Sequence, residues 1–309
     1  MDRGLKMMKR FQELTCSQGP SAVALGCFDG LHTGHVQVLR AARAPGLVAS
    51  VLTFQPDILR DGKDAPALLS QARKMSLLEG MGIQQCWQLA FSDIRDMSAR
   101  QFVQQVLRDV CRARRVCCGF NFHFGKGGVG DSALLRELCA EEKIEVVVVP
   151  PVEVLGEPVS STRIRGLLQA GDAAAANRLL GHPFCVDFQV IHGRRLGRRL
   201  GFPTINQVFP DGFLLPRFGV YASVTELNGA AYYGVTNIGV KPTVGADRPL
   251  SETWLPGYRG PEVYGERPAV EILEFIRPER KFDSLESLRA QIFQDGETAR
   301  KIVYKARSV

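Results

Sequence analysis

The sequence reads as an α/β unit followed by a smaller, mainly β unit that closes with a helix. Three observations carry this reading. Short β-branched runs alternate with amphipathic stretches through the first half, whereas beyond Pro183 similar runs follow one another with only turn residues between them. Residue usage also changes abruptly: all eight cysteines lie at or before Cys185, all six methionines at or before Met97, and all six tyrosines at or after Tyr221. A chain of 309 residues accommodates two domains of ordinary size. The joint is expected next to Pro183, giving domains 1–182 and 183–309.

In the first half, residues 22–27, 47–54, 86–89, 115–118 and 144–149 read as strands. Stretches 35–44, 71–80, 99–112 and 132–141 read as the helices between them. Strands separated by helices of about ten residues need crossover connections, so the sheet should be largely parallel and doubly wound. From Thr162 the pattern is helical, with Asp172 as a second N-cap and Gly181 as a C-terminal stop. Runs 186–192, 220–227, 231–238 and 270–276 then predict an antiparallel sheet or small barrel. A last helix is expected from Leu285, Leu288 and Ile292, with Asp283 and Glu286 as its capping box.

Composition excludes several classes. With 45% apolar and 23% charged residues the chain is neither disordered nor fibrous. Its longest strongly apolar stretch, 144–151, is too short to cross a bilayer, and residues 1–16 lack a signal peptide's apolar centre. The expectation is a cytoplasmic protein without a membrane partner. The cysteines form no C-x-x-C pair and read as small buried thiols in a reducing compartment. A net charge of +7 suits anionic small molecules or nucleic acid and does not choose between them.

The first chemical constellation is A-L-G-C-F-D-G-L-H-T-G-H, residues 24–35. An apolar strand runs into a glycine-containing turn and then a helix, with His32 and His35 three apart. A helix start offers unpaired N–H groups and a positive dipole end, a natural seat for phosphate. Two imidazoles there can donate to charge building on phosphorus without a covalent intermediate. Two later segments belong with it: G-F-N-F-H-F-G-K-G-G-V-G-D at 119–131 and V-S-S-T-R-I-R at 159–165. In the latter, Ser161 and Thr162 fall where a helix begins, beside Arg163 and Arg165.

These segments resemble the H-x-G-H nucleotidyltransferases, specifically the prokaryotic bifunctional riboflavin kinase/FAD synthetases. The family's G-x-F-D-G-x-H-x-G-H opening is matched by Gly26, Phe28, Asp29, Gly30, His32, Gly34 and His35. The resemblance implies that His32 and His35 contact ATP phosphates and that Asn121 positions the nucleotide and a metal. It further implies that Ser161, Thr162 and Arg165 hold the triphosphate. Lys74-Met75-Ser76 is similar to the K-M-S start of the K-M-S-K-S signature of class I aminoacyl-tRNA synthetases. Leu77 and Leu78 replace the rest of it, so the triplet reads as a helix surface.

The second constellation, G-R-R-L-G-R-R-L-G-F-P-T-I-N at 193–206, sets four arginines among glycines 193, 197 and 201. It is similar to the family's flavokinase segment G-x-x-x-G-R-x-L-G-F-P-T-A-N. The resemblance implies phosphate contacts from Gly193, Gly197, Arg198, Thr204 and Asn206, with Thr204 and Asn206 on Mg²⁺. A hydroxyl and an amide oxygen suit that hard cation. Residues 234–243 resemble a further family segment, and Ser251-Glu252-Thr253 resembles the segment holding the family's catalytic base, implying that role for Glu252. A ribityl hydroxyl is a poor nucleophile near neutrality, and a carboxylate within reach can take its proton. The chain departs from the family at 254–261, where Trp254 replaces histidine, and at Phe54-Gln55-Pro56-Asp57.

The resemblance implies a Rossmann-like adenylyltransferase domain and a six-stranded antiparallel β-barrel kinase domain. Together they would convert riboflavin to FMN and FMN to FAD with ATP and Mg²⁺, with small molecules rather than nucleic acid as partners. Two alternatives stand beside it. One is a lone FMN adenylyltransferase with an impaired kinase half; the other is a nucleic-acid-binding protein using the arginines at 194–199.

Overall fold

The computed structural model describes residues 15–54, 65–193, 201–243 and 246–307. By contacts it divides into two compact units. The first comprises Met1–Ala67 and Gln71–Ser160, the second Leu68–Ser70 and Ser161–Val309.

The first unit is built on five parallel strands: β1 (Ser21–Leu25), β2 (Val48–Phe54), β3 (Gln85–Leu89), β4 (Ala113–Gly119) and β5 (Glu145–Val149). Their order is β3-β2-β1-β4-β5, so the winding reverses between β1 and β4. Ligands of such sheets sit in the crevice beyond the strand ends at that reversal. The crossovers include α1 (Thr33–Ala41), α2 (Gln71–Gly80), α3 (Phe91–Ile94) and α4 (Ala99–Gln101); α5 (Ser132–Glu141) joins β4 to β5. After α4 the chain continues as a π-helix over Phe102–Val110, sending Phe102, Val103, Val106 and Leu107 into the core. Every residue of β1 is buried, because a parallel sheet covered on both faces has no solvent side. Cys117 and Cys118 are both fully buried on β4 for the same reason. The thiol expectation fails at two positions: Cys16 and Cys27 are exposed, and Cys27 stands in the turn after β1. A two-residue hairpin pair, β6 (Glu153–Val154) and β7 (Glu157–Pro158), ends the unit.

The second unit opens with α6 (Ser161–Ala170) and α7 (Ala173–Leu180), capped as expected by the Asp172 side chain and by Gly181 in a left-handed conformation. Asn177 fastens α7 to the sheet, donating to the Ile272 carbonyl (2.8 Å) and accepting from the Phe184 N–H (2.8 Å). The six antiparallel strands are β8 (Phe184–Val186), β9 (Thr204–Val208), β10 (Gly219–Leu227), β11 (Ala230–Thr243), β12 (Ala246–Trp254) and β13 (Val270–Arg277). They run in the order β8-β13-β10-β11-β12-β9, and the sheet curls until Val190 bridges Gln207. On one face Thr236 donates to Ser223 (2.7 Å) and lies 2.9 Å from the Thr253 hydroxyl, so buried hydroxyls satisfy one another. On the other, Val220, Ala222 and Val235 pack with Ala299 of the closing helix α8 (Leu285–Arg307).

Three sequence readings need correction. The run 186–192 is strand only as far as Val186, although Val190 makes an isolated bridge. Both β9 and β12 escaped the strand reading because their residues carry polar and ligand-type side chains. The cap of α8 is not Asp283 with Glu286. Ser284 accepts from the Ser287 N–H (3.1 Å) and Ser287 from the Ser284 N–H (3.3 Å), a reciprocal box one residue later.

Asp295 ties α8 to β13. Its carboxylate, only 2% exposed, accepts from Arg277 Nε (3.0 and 3.1 Å) and Nη2 (2.7 Å) and from Gln291 Nε2 (2.7 Å). Removing one partner of a buried pair strands the other. Asp295→Ala is therefore expected to destabilise the second unit by about 3 kcal/mol, since part of the Arg277 side chain is solvated. Denaturant titration followed by circular dichroism measures it.

Candidate active sites

The turn after β1 is strained. Phe28 (φ 51°) and Leu31 (φ 41°) both hold left-handed backbone conformations although neither is glycine, with Gly30 at φ 80° between them. Bulky residues persist there only when their surroundings over-determine them. Both side chains are buried, at 1% and 0% exposure.

His32 follows as the N-cap of α1. Its Nδ1 accepts the His35 N–H (3.3 Å), so the neutral ring carries its proton on Nε2, which becomes the donor available to a ligand. The two imidazoles stack 3.6 Å apart at 15°, and Phe28 meets His35 edge-on at 5.3 Å. A Cβ on Gly34 would lie 3.2 Å from the His32 ring, which explains why glycine occupies the middle of H-x-G-H. Burial lowers the pKa of His32 to about 4. Burial, then the proximity of His32 and Lys74, hold His35 well below the ordinary histidine value. Near neutrality both rings are uncharged hydrogen-bonding groups, and the buried His35 Nδ1 has no partner among the described residues.

That shift makes stability pH-dependent. Above pH 6.5 His32 is neutral whether the chain is folded or not. Between 6.5 and about 4 the unfolded chain takes up a proton that the folded chain refuses, so stability falls as pH falls. The loss attributable to His32 is on the order of 3 kcal/mol by pH 4. Thermal unfolding of the ligand-free protein between pH 7 and 5, followed through buried Trp87 in a Trp254→Phe background, should show the falling midpoint. His32→Asn, which keeps a capping side chain, should make that slope shallower.

Lys74 overturns the reading of its triplet as a helix surface. It lies on α2 with 8% exposure, and its Nζ donates to the Cys27 carbonyl (2.7 Å) and to Thr53 Oγ1 (2.9 Å). Periodicity missed it because α2 is short and a lysine on it reads as solvent-facing.

At the C-terminal ends of β1 and β2 lies a cavity of about 520 Å³. Phe54, Phe91, Phe102, Phe122 and Phe124 line it together with Gly26 and the turn Lys126–Gly128. Asn121 is exposed just after β4, with its Oδ1 close over Gly119. Motif reading had assigned this neighbourhood only nucleotide and metal contacts; the apolar cavity follows from aromatics that the fold collects from separate segments. Ser161 and Thr162 begin α6 and Arg165 follows about one turn on, in the second unit.

In the second unit, antiparallel register sets Asn206 of β9 opposite Glu252 of β12, and Glu252 opposite Asn237 of β11. Two residues along, Thr204 pairs Trp254, which pairs Val235. Side chains two apart share a face, so Thr204, Glu252, Asn237 and Trp254 line one cavity of about 380 Å³ with Arg277 and Glu279. Asn237 donates to Glu279 (3.1 Å). A second cavity of about 130 Å³, lined by Val190, Pro203, Ile205, Leu255, Tyr258 and Tyr264, also reaches Thr204. Thr204 and Asn206 place a hydroxyl and an amide oxygen 3.4 Å apart, and a Cβ on Gly193 would come within 2.6 Å of that amide. Trp254, the family departure, packs edge-on against Phe202 and Phe293, and Gly296 of α8 gives it room. Gly197 and Arg198, the other arginines at 194–199, and residues 55–57 lie outside the described residues. Motif reading left Asn237, Arg277 and Glu279 without roles; the first stands in the 234–243 segment already singled out, and only the cross-strand register sets it opposite Glu252.

A family model for FAD synthetases matches residues 15–163, and one for riboflavin kinases matches residues 180–303. The bifunctional riboflavin kinase/FMN adenylyltransferase of Bacillus subtilis is 34% identical over 294 residues, covering 91% of this chain and 92% of its own length. That of Pseudomonas fluorescens is 34% identical over 306 residues, covering 96% and 98%. The chain belongs to the bifunctional riboflavin kinase/FMN adenylyltransferases. It phosphorylates riboflavin to FMN and adenylylates FMN to FAD, with ATP as donor in both steps. The departure at 254–261 thus lies inside a matched kinase domain. A crystal structure from Streptococcus pneumoniae, described as a macrolide-efflux protein, superposes with a TM-score of 0.84 at 29% identity, covering 96% of this chain and 99% of that one. Among the described residues no helix of this bifunctional enzyme is long and apolar enough to cross a membrane.

Proposed function

We propose that the two activities use separate sites, adenylyl transfer within residues 1–182 and phosphorylation within 183–309. The observation that carries this is that each unit has its own cavity reached by its own motif residues, Gly26 in the first and Thr204 and Glu252 in the second.

In the kinase unit, riboflavin takes the larger cavity and the adenine end of ATP the smaller. The phosphates pass Thr204, which lines both. Glu252 accepts the ribityl hydroxyl proton as that oxygen attacks the γ-phosphorus and ADP leaves. Asn206 and Asn237 flank Glu252 in register and orient it. Thr204 and Asn206 offer oxygen donors that fit Mg²⁺, which typically keeps waters and shares phosphate oxygens. A cation held by Thr204 and Asn206 would supply charge neutralisation on the phosphates. Gly193 keeps the space over Asn206 open, and Gly197 and Arg198 join the phosphate contacts by their motif.

In the adenylyltransferase unit the flavin ring of FMN fits the phenylalanine-lined cavity. Its phosphate oxygen attacks the α-phosphorus of ATP, and pyrophosphate leaves. The nucleophile is already charged, so alignment and hydrogen bonding suffice and no base is required. His32 donates through Nε2, and the His35 ring beside it offers the second imidazole. Gly26, Phe28, Asp29 and Gly34 shape the turn around them. Asn121 stands at the neighbouring strand end, suited to nucleotide and metal. Ser161, Thr162 and Arg165 are assigned to the triphosphate by their motif alone; they lie on α6, within residues 1–182.

The test is an assay that resolves FMN from FAD by chromatography. A change at one site should remove one product only. Loss of both activities from a single change, in folded protein, overturns the two-site reading.

A further inference from the structure

Lys74 is a buried cation that none of the roles above employs. Its Nζ donates to the Cys27 carbonyl (2.7 Å) and to Thr53 Oγ1 (2.9 Å), while the Thr53 hydroxyl itself donates to the same Cys27 carbonyl (2.9 Å). These bonds close a small ring at the C-terminal ends of β1 and β2. Cys27 is the residue immediately before Phe28, where the left-handed stretch begins, and five residues later the chain reaches His32.

Burying an ammonium is unfavourable unless its bonds and charge are used. Here burial lowers the Lys74 pKa, countered by the nearby Cys86, Asp29 and Cys27. If the position asked only for packing, an apolar side chain would fill it at lower cost. What an apolar side chain cannot do is hold the Cys27 carbonyl, and a strained turn needs such restraints to keep one conformation. Lys74 is also among the charges that hold His35 unprotonated. Its ammonium is committed to protein oxygens and stands behind the turn.

We propose that Lys74 is a positioning residue for FMN adenylylation, clamping the Cys27 carbonyl and Thr53 so that the turn presents His32 and His35 in reactive geometry. This rests on the assignment of adenylyl transfer to the His32–His35 turn.

Lys74→Met keeps the aliphatic length and removes the charge and its bonds. Expected is a fall of at least 30-fold in kcat for FAD formation, with KM for FMN within twofold, an unchanged unfolding midpoint, and riboflavin phosphorylation by the same chain unchanged. Catalytic loss without loss of FMN affinity or of fold is what a merely structural lysine does not produce. FAD formation within threefold of the parent overturns the inference. If Lys74→Met does not fold, Thr53→Val decides: it keeps the cation and removes the shared hydroxyl. A fall of at least fivefold in kcat with KM for FMN unchanged supports the clamp, and the parental rate overturns it. His32→Ala, run alongside, separates the two ideas. An inactive His32→Ala beside a fully active Lys74→Met sinks only the clamp, whereas a fully active His32→Ala sinks the site assignment and the clamp with it.

Discussion

Exchanging Glu252 for glutamine should lower riboflavin phosphorylation by about 10²- to 10⁴-fold, the range for losing a general base, and leave the conversion of supplied FMN to FAD at its original rate. Glutamine has nearly the same volume and sits at the same register position between Asn206 and Asn237, so the sheet has no reason to change. What changes is the ability to accept a proton. The measurement is FMN appearance from riboflavin under single-turnover conditions, with a parallel reaction started from FMN. A kinase rate within threefold of the parent would remove Glu252 as base. Glu279, which lines the same cavity and accepts from Asn237, would then be the next carboxylate to test.

The complementary result is expected from His32→Ala. FAD formation falls by about 10²- to 10³-fold, the cost of losing one well-placed donor to a charged transition state. Riboflavin is still phosphorylated, so FMN accumulates where the parent enzyme carries it on to FAD. The substitution removes the Nε2 donor and the N-cap of α1, and with it the ring that stacks on His35 at 3.6 Å. His32→Asn restores a cap without the imidazole and distinguishes helix capping from chemistry. A capping role alone predicts recovery, whereas a donor role predicts that the asparagine enzyme remains slow.

Much of the architecture was legible in residue order. Helices α2 and α5 fall where 71–80 and 132–141 were read, because apolar spacing and flanking turn residues are local signals. The Asp172 cap and Gly181 stop were readable for the same reason. Strands β9 and β12 were not. Thr204 and Asn206 on the one, and Glu252 with its polar neighbours on the other, break the apolar alternation that betrays a strand. The α8 cap was misplaced by one residue, since Asp283 with Glu286 and Ser284 with Ser287 are equally good patterns, and only the helix's true start decides between them.

The chemistry followed a similar division. Residue types and their spacing alone determined that paired histidines sit at a strand-to-helix turn and that Thr204 and Asn206 stand together at the end of a glycine-rich stretch. Those features depend on neighbours a few positions apart. Tertiary structure alone decided that Lys74 is buried under the first turn, that phenylalanines from separate segments wall one cavity, and that Asn206, Glu252 and Asn237 form a row. Each of those joins residues distant in sequence through sheet register or side-chain packing, and such pairings are specified by the whole core rather than by any local stretch.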